Sequence, residues 1–173
     1  TFTELGSQQT FAFPTQITNA IGQTGYVQYD YGLGQAINQR DFNGVVSAVF
    51  HDDLLDRMTQ IRRAYATAAE SHATISYDDG GHTITTTSDQ LTNNDNRLVS
   101  KSIYDGFGRT VETRRYESST GYIVVQTQYD ALSRAYKISN PFRPLTPDNE
   151  VARWTTRIFD GVGRVLTETT PDN

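Results

Sequence analysis

The amino-acid sequence predicts an all-β chain of stacked antiparallel β-hairpins forming a curved, open sheet. Three observations lead there: a short signature that recurs along the chain, strand-forming residues on both sides of each copy, and strands that are semi-polar on both faces. The signature is clearest in "YDGFGR" (104–109), "YDALSR" (129–134) and "FDGVGR" (159–164), which share one formula: aromatic, Asp, any residue, apolar, small, Arg.

In chain order, the first copy is "YDYGLGQ" (29–35), read as one residue longer and ending on Gln35 in place of Arg. The second, "HDDLLDR" (51–57), is also read as one residue longer, with His51 in the aromatic place. The third begins "YDDGGH" at 77 and has no Arg. Starts at 29, 51, 77, 104, 129 and 159 average about 26 residues apart, the size of one supersecondary unit with its length variation absorbed in loops.

Each unit reads as a hairpin with the signature as its turn. Strand formers lead in, as in "GYIVVQTQY" (121–129) and "RWTTRIF" (153–159), and "RTVETRRY" or "RVLTETT" leads out. Asp105, Asp130 and Asp160 are placed to accept backbone N–H bonds from two residues on. Gly108 and Gly163 suit the positive φ at the exit of a four-residue loop, and Ser133 fills that place in the copy at 129. Arg109, Arg134 and Arg164 start the return strands, where each can pair with its Asp or stack on an aromatic ring. Phe107, Leu132 and Val162 would be bare at the tip of a lone hairpin, so stacking of neighbours is expected to cover them.

One stretch pulls the other way. In "DLLDRMTQIRRAYATAAE" (53–70), Leu54, Leu55, Met58, Ile61, Tyr65 and Ala68 follow helical spacing. Aligned on the arginine, however, "RMTQIRRAY" (57–65) lies over "RTVETRRYE" (109–117), which is strand; the repeat is weighted above propensity, and a strand is expected.

The strand faces supply the prediction of openness. In "TGYIVVQTQYD", one face carries Ile123, Val125, Thr127 and Tyr129 and the other Tyr122, Val124, Gln126 and Gln128. A sandwich calls for one dry face, whereas a sheet against water or another polypeptide can be mixed on both. Unpaired edges then favour edge-to-edge self-association.

Composition narrows the function classes. The chain has 173 residues, a net charge of −5 and no cysteine, and its lysines are Lys101 and Lys137. This balance argues against phosphate-driven nucleic-acid binding, and the missing thiols remove disulfide and cysteine–metal chemistry. No apolar run approaches the ~18 residues that span a membrane, so no membrane insertion is expected. The opening "TFTELGSQQT" lacks the features of a leader, and the chain is read as a piece of a larger protein.

At Tyr104, Asp105, Gly108 and Arg109, at Phe159, Asp160, Gly163 and Arg164, and at Tyr129, Asp130 and Arg134, the chain resembles the YD-repeat or RHS-repeat proteins of bacteria, related to the YD shells of teneurins and toxin complexes. The match is close over 97–173 and divergent over 1–96. The resemblance implies a structural segment of a large secreted or surface bacterial protein, a hairpin scaffold or shell that encloses or displays other polypeptide. Its implied partners are flanking repeats and a C-terminal cargo; no enzyme activity and no cofactor are implied.

The same residue types admit other readings. Asp/Arg/Tyr clusters have the residue types of a glycosidase, but catalysis needs one asymmetric constellation and these are near-copies. His51, His72 and His82 match no familiar metal spacing, Ser71 beside His72 lacks a nucleophile elbow, and "DDGGH" (78–82) lacks calcium-loop spacing. The alternative function kept open is a carbohydrate-binding or adhesion module, with Tyr116, Tyr122, Tyr136 and Trp154 as candidates for stacking on glycans.

Overall fold

The structure, a computed structural model, describes residues 13–145 and 147–172, so the opening stretch in which no leader was expected lies outside it. Contacts divide the chain into two compact units, one ending at His72 and the other beginning at Ala73. The first holds β1 (Gln16–Thr18), β2 (Thr24–Asp30), β3 (Gln35–Arg40), β4 (Val46–Phe50) and β5 (Gln60–Arg63). β6 (Ser71–Asp78) begins at the boundary. The second unit continues with β7 (Thr83–Ser88), β8 (Leu98–Tyr104), β9 (Thr110–Tyr116), β10 (Tyr122–Tyr129), β11 (Ala135–Ser139), β12 (Trp154–Phe159) and β13 (Val165–Thr169). Among the described residues there is no helix.

From β1 to β5, and again from β6 to β13, each strand pairs antiparallel with the next. In neither unit do the first and last strands pair with each other, so neither closes into a barrel. The expected all-β arrangement of open antiparallel hairpins is what each unit shows. Its local cause is the supply of Thr, Val, Ile and Tyr in the strands, punctuated by Asx residues and left-handed turn positions.

Burial follows from this single layering. Every residue of β2 and of β7 is half-buried, without the alternation a two-layer core imposes. Among the described apolar residues only Ala48, Val124 and Phe142 are buried.

Val124 is the most deeply buried of the described residues of the second unit. It pairs with Arg114 on β9, and on its other side exchanges backbone bonds with Phe142: Val124 N–H donates to Phe142 O at 2.9 Å and Phe142 N–H to Val124 O at 3.1 Å. The β10–β11 ladder covers only Thr127–Tyr129. At Gln126 the N–H donates instead to the Ser139 hydroxyl, at 2.8 Å, which explains why this polar side chain is buried.

The stretch at 53–70 holds a strand and no helix, as the repeat alignment required. The strand is shorter than 57–65, spanning Gln60–Arg63, although Thr59 and Tyr65 still bond to β4 at Phe50 and Val46. Ala64 and Ala66 adopt positive φ, +50° and +59°, which breaks the run. The helical spacing misled because Leu54 and Leu55 are turn-tip residues exposed to water, not a buried stripe.

Truncating Val124 to Ala is expected to lower unfolding stability by about 2 kcal/mol, the scale of a core deletion at a site that cannot collapse. Urea titration checks this; an unchanged midpoint would show that the β9–β10–Phe142 junction is not a packed centre.

Candidate functional site: the aspartate–arginine turns

In the copy at 104, Tyr104 ends β8 and Thr110 opens β9. Asp105 N–H donates to Arg109 O at 2.9 Å, Gly108 N–H donates to Asp105 O at 3.0 Å, and Gly108 has φ +75°. This is a three-residue loop closed by a left-handed residue, one residue tighter than the four-residue loop expected from sequence. Asp105 organises it. One carboxylate oxygen accepts the N–H groups of Phe107 (2.9 Å) and Arg109 (3.0 Å), and the other accepts Arg109 Nε at 2.7 Å.

Asp130 repeats the pattern with Leu132 and Arg134, and Asp160 with Val162 and Arg164, each with an Arg Nε bond of 2.7 Å. Gly163 takes φ +89° and Ser133 takes +63°, so serine does occupy the left-handed position. Each Asp is both an Asx-turn and an ion pair.

The copy at 51 needs a correction. The organising acid is Asp53, not Asp52: it accepts Leu55 N–H at 3.0 Å and Arg57 N–H at 2.7 Å, bonds Arg57 Nε, and leaves Asp56 at φ +55°. Counted from Asp53 this turn has the standard length. The copies at 29 and 77 are one residue longer, closing on the pairs Asp30–Gln35 and Asp78–Thr83, with Gly34 and His82 left-handed.

The structure holds two more turns of this kind, which the signature does not cover. Asn19 accepts the N–H groups of Ile21 and Gln23, and Asp41 those of Asn43 and Val45, with Gly22 and Gly44 left-handed. Their signal is an Asx three residues before a Gly; neither has the arginine that marks the turns at Asp53, Asp105, Asp130 and Asp160.

The arginines also reach forward by one copy. The Arg109 guanidinium lies 4.6 Å from the Tyr129 ring centroid, and its Nη1 donates to Ser133 Oγ at 2.9 Å. Tyr129 returns the contact, its hydroxyl donating to Thr110 O at 2.9 Å. Arg134 lies 4.7 Å from the Phe159 ring and donates to Asp160 O at 3.0 Å. Pairing and stacking, offered by the sequence as alternatives, occur together.

The expected cover over the turn tips is absent. Phe107, Leu132 and Val162 remain 85%, 68% and 79% exposed. Neighbouring copies meet through the arginine and the aromatic at the strand ends, and the tips project beyond that line.

The Arg109 side chain is the main reason the Asp105 carboxyl is held below the usual range, with backbone N–H bonds adding to it and partial burial opposing. For Asp130 and Asp160 the backbone N–H groups of Arg134 and Arg164 lead. A carboxylate held this way is ionised at neutral pH, with its oxygens committed to the turn. It is suited to shaping the chain rather than to moving protons.

Among the described residues no three His, Asp or Glu side chains gather as a metal would need. His72 Nε2 lies 2.6 Å from Glu70 Oε1, and on β6 Ser71 and His72 point to opposite faces. The four candidate stacking aromatics are half-buried and do not form one platform. Tyr116 and Tyr122 meet at 5.4 Å with Arg114 over Tyr122, the Tyr136 hydroxyl bonds Gln128, and Lys137 lies over Trp154.

No family model and no curated protein matches the chain.

Gly108→Val and Gly163→Val are each expected to destabilise by about 1 kcal/mol or more through backbone strain alone, since a Cβ at either site meets nothing within 4 Å. Asp56→Gly should act in the opposite sense, by up to about 1 kcal/mol. Thermal melts showing no change in all three would contradict the left-handed assignment.

Acid should weaken the fold. The folded chain holds Asp105, Asp130 and Asp160 below the unfolded value near 4, so their contribution is complete above about pH 5 and lost as pH falls through the depressed values. The urea midpoint is expected to drop between pH 7 and pH 3, and a rise would contradict this account.

Proposed function

We propose that the chain is a structural YD-repeat segment of a large secreted or surface-displayed bacterial protein, a β-hairpin scaffold that encloses or displays other polypeptide, with no catalytic role. The observation that carries the reading is the forward reach of Arg109 and Arg134, each bonded to the Asp of its own turn and clamped to the next copy. Such coupling serves an extended array better than it serves a site, because two successive copies use it in the same way.

The last copy supports flanking repeats as partners. Arg109 and Arg134 are 24% and 27% exposed, while Arg164, which no ring covers among the described residues, is 80% exposed. Every residue of β13 is exposed as well. This edge has the unpaired ladder and the bare guanidinium that another hairpin, or a second copy of the chain, would cover.

The test is limited proteolysis of the parent polypeptide carrying Arg109→Ala and Arg134→Ala. Uncoupling the copies is expected to expose an enclosed segment that the unaltered parent protects. Equal cleavage in both would defeat the enclosing role. Turnover of any substrate that one Asp→Asn change abolishes, and the equivalent change in another copy spares, would replace the scaffold by an enzyme.

A further inference from the structure

Away from the aspartate turns, the loop end of the β9–β10 hairpin carries two tyrosines that the scaffold reading does not use. Tyr116 closes β9 and Tyr122 opens β10, and they stand directly opposite each other across the ladder. Val124 gives its N–H and its carbonyl to Phe142 on the far side of β10. Hydrogen bonds alternate along an antiparallel strand, so Arg114–Val124 and, two residues further, Tyr116–Tyr122 are non-hydrogen-bonded pairs, the kind with the closer side chains. The rings meet accordingly, with centroids 5.4 Å apart and planes at 53°.

The surroundings keep the rings side by side. The Arg114 guanidinium lies 4.8 Å from the Tyr122 centroid, and Glu112, ion-paired with Arg114 and bonded by Gln126 Nε2 at 3.0 Å, fixes that guanidinium in turn. Glu117 N–H donates to Gly121 O at 2.9 Å and Gly121 N–H to Ser118 Oγ at 2.8 Å, which closes the connection 117–121. Arg143 then ties Glu117 to the chain beyond β11 through Nε (2.7 Å) and Nη2 (2.8 Å). Both tyrosines are half-buried, so the phenols stay within reach of solvent.

We propose that Tyr116 and Tyr122 are an oxidative cross-linking site, at which a one-electron oxidant of the haem-peroxidase class, fed by hydrogen peroxide, joins the two rings as dityrosine. Each phenol loses one electron and its hydroxyl proton and becomes a neutral phenoxyl radical. The two radicals pair their electrons in a carbon–carbon bond between the ring positions ortho to the oxygens, and the hydrogen on each of those carbons moves to the phenol oxygen as aromaticity returns. Two C–H bonds are thus replaced by one C–C bond, and the two electrons and two protons released reduce one hydrogen peroxide to two waters. Proximity decides the partner: rings already in contact couple within the chain before either radical meets a second molecule. A chain with ten tyrosines and no cysteine has no disulfide with which to staple a hairpin end, and this bond supplies the staple. The proposal is independent of the scaffold reading, since it uses no contact between repeat signatures.

The test is treatment of the dilute whole chain with a haem peroxidase and hydrogen peroxide, followed by isolation of the monomer and peptide mass spectrometry. Trypsin releases 116–134, which holds Tyr116, Tyr122 and Tyr129. This peptide is expected two hydrogens lighter, and cleavage after Glu117 should leave its two pieces joined. Tyr116→Phe and Tyr122→Phe keep the ring packing but remove a phenol, so each should lower the joined product by about tenfold or more, whereas Tyr136→Phe leaves it unchanged. In the cross-linked monomer, amide exchange at Glu117 should slow by about tenfold. Unchanged circular dichroism of the variants separates lost coupling from lost folding, and in urea the same treatment should scatter coupling over other tyrosines. Recovery of 116–134 unjoined under conditions that couple free tyrosine overturns the proposal, as does joined product that persists in Tyr116→Phe, or linkage through Tyr31 or Tyr136 in equal amount.

Discussion

The turn aspartate is the group on which the rest of the structure depends. At Asp53, Asp105, Asp130 and Asp160 a single carboxylate collects two backbone N–H groups and an arginine Nε, so three constraints converge on those hairpin ends. The N–H groups would otherwise be unsatisfied at a tight reversal, and the arginine would otherwise be a long solvated side chain. Holding the guanidinium still allows it to stack on the next copy's aromatic. A local hydrogen-bond solution thereby becomes a contact between repeats.

This explains how a chain with so few buried apolar residues can hold a defined arrangement. Ala48, Val124 and Phe142 do not make a core of the kind a two-layer domain relies on. Order in each unit comes instead from continuous ladders, left-handed turns and the arginine–aromatic clamps, each linking only neighbours. Stability of this form is a sum of unit and interface terms, and it grows with the number of units.

Much of this was legible in the sequence because it is local. Asp105, Gly108 and Arg109 sit within one turn, and the turn's geometry needs those residue types in that order. The copy at 51 was misregistered by one residue because two aspartates are adjacent, and only the hydrogen bonds show that Asp53 accepts from Leu55 and Arg57. Asn19 and Asp41 were missed because a search keyed on aromatic and arginine ignores the part of the signature that shapes the backbone.

What the sequence determined by itself was the all-β class, the period and the role of the turn aspartates and left-handed residues, for these follow from φ preferences and hydrogen bonds between residues no more than four apart. What only the tertiary structure decided was everything that crosses from one hairpin to another. That includes the stacking of Arg109 on Tyr129, the bare tips of Phe107, Leu132 and Val162, and the burial of Ser139. Cross-strand register sets these distances, and a one-residue shift in a strand turns every side chain to the other face, so no reading along the chain alone could place them.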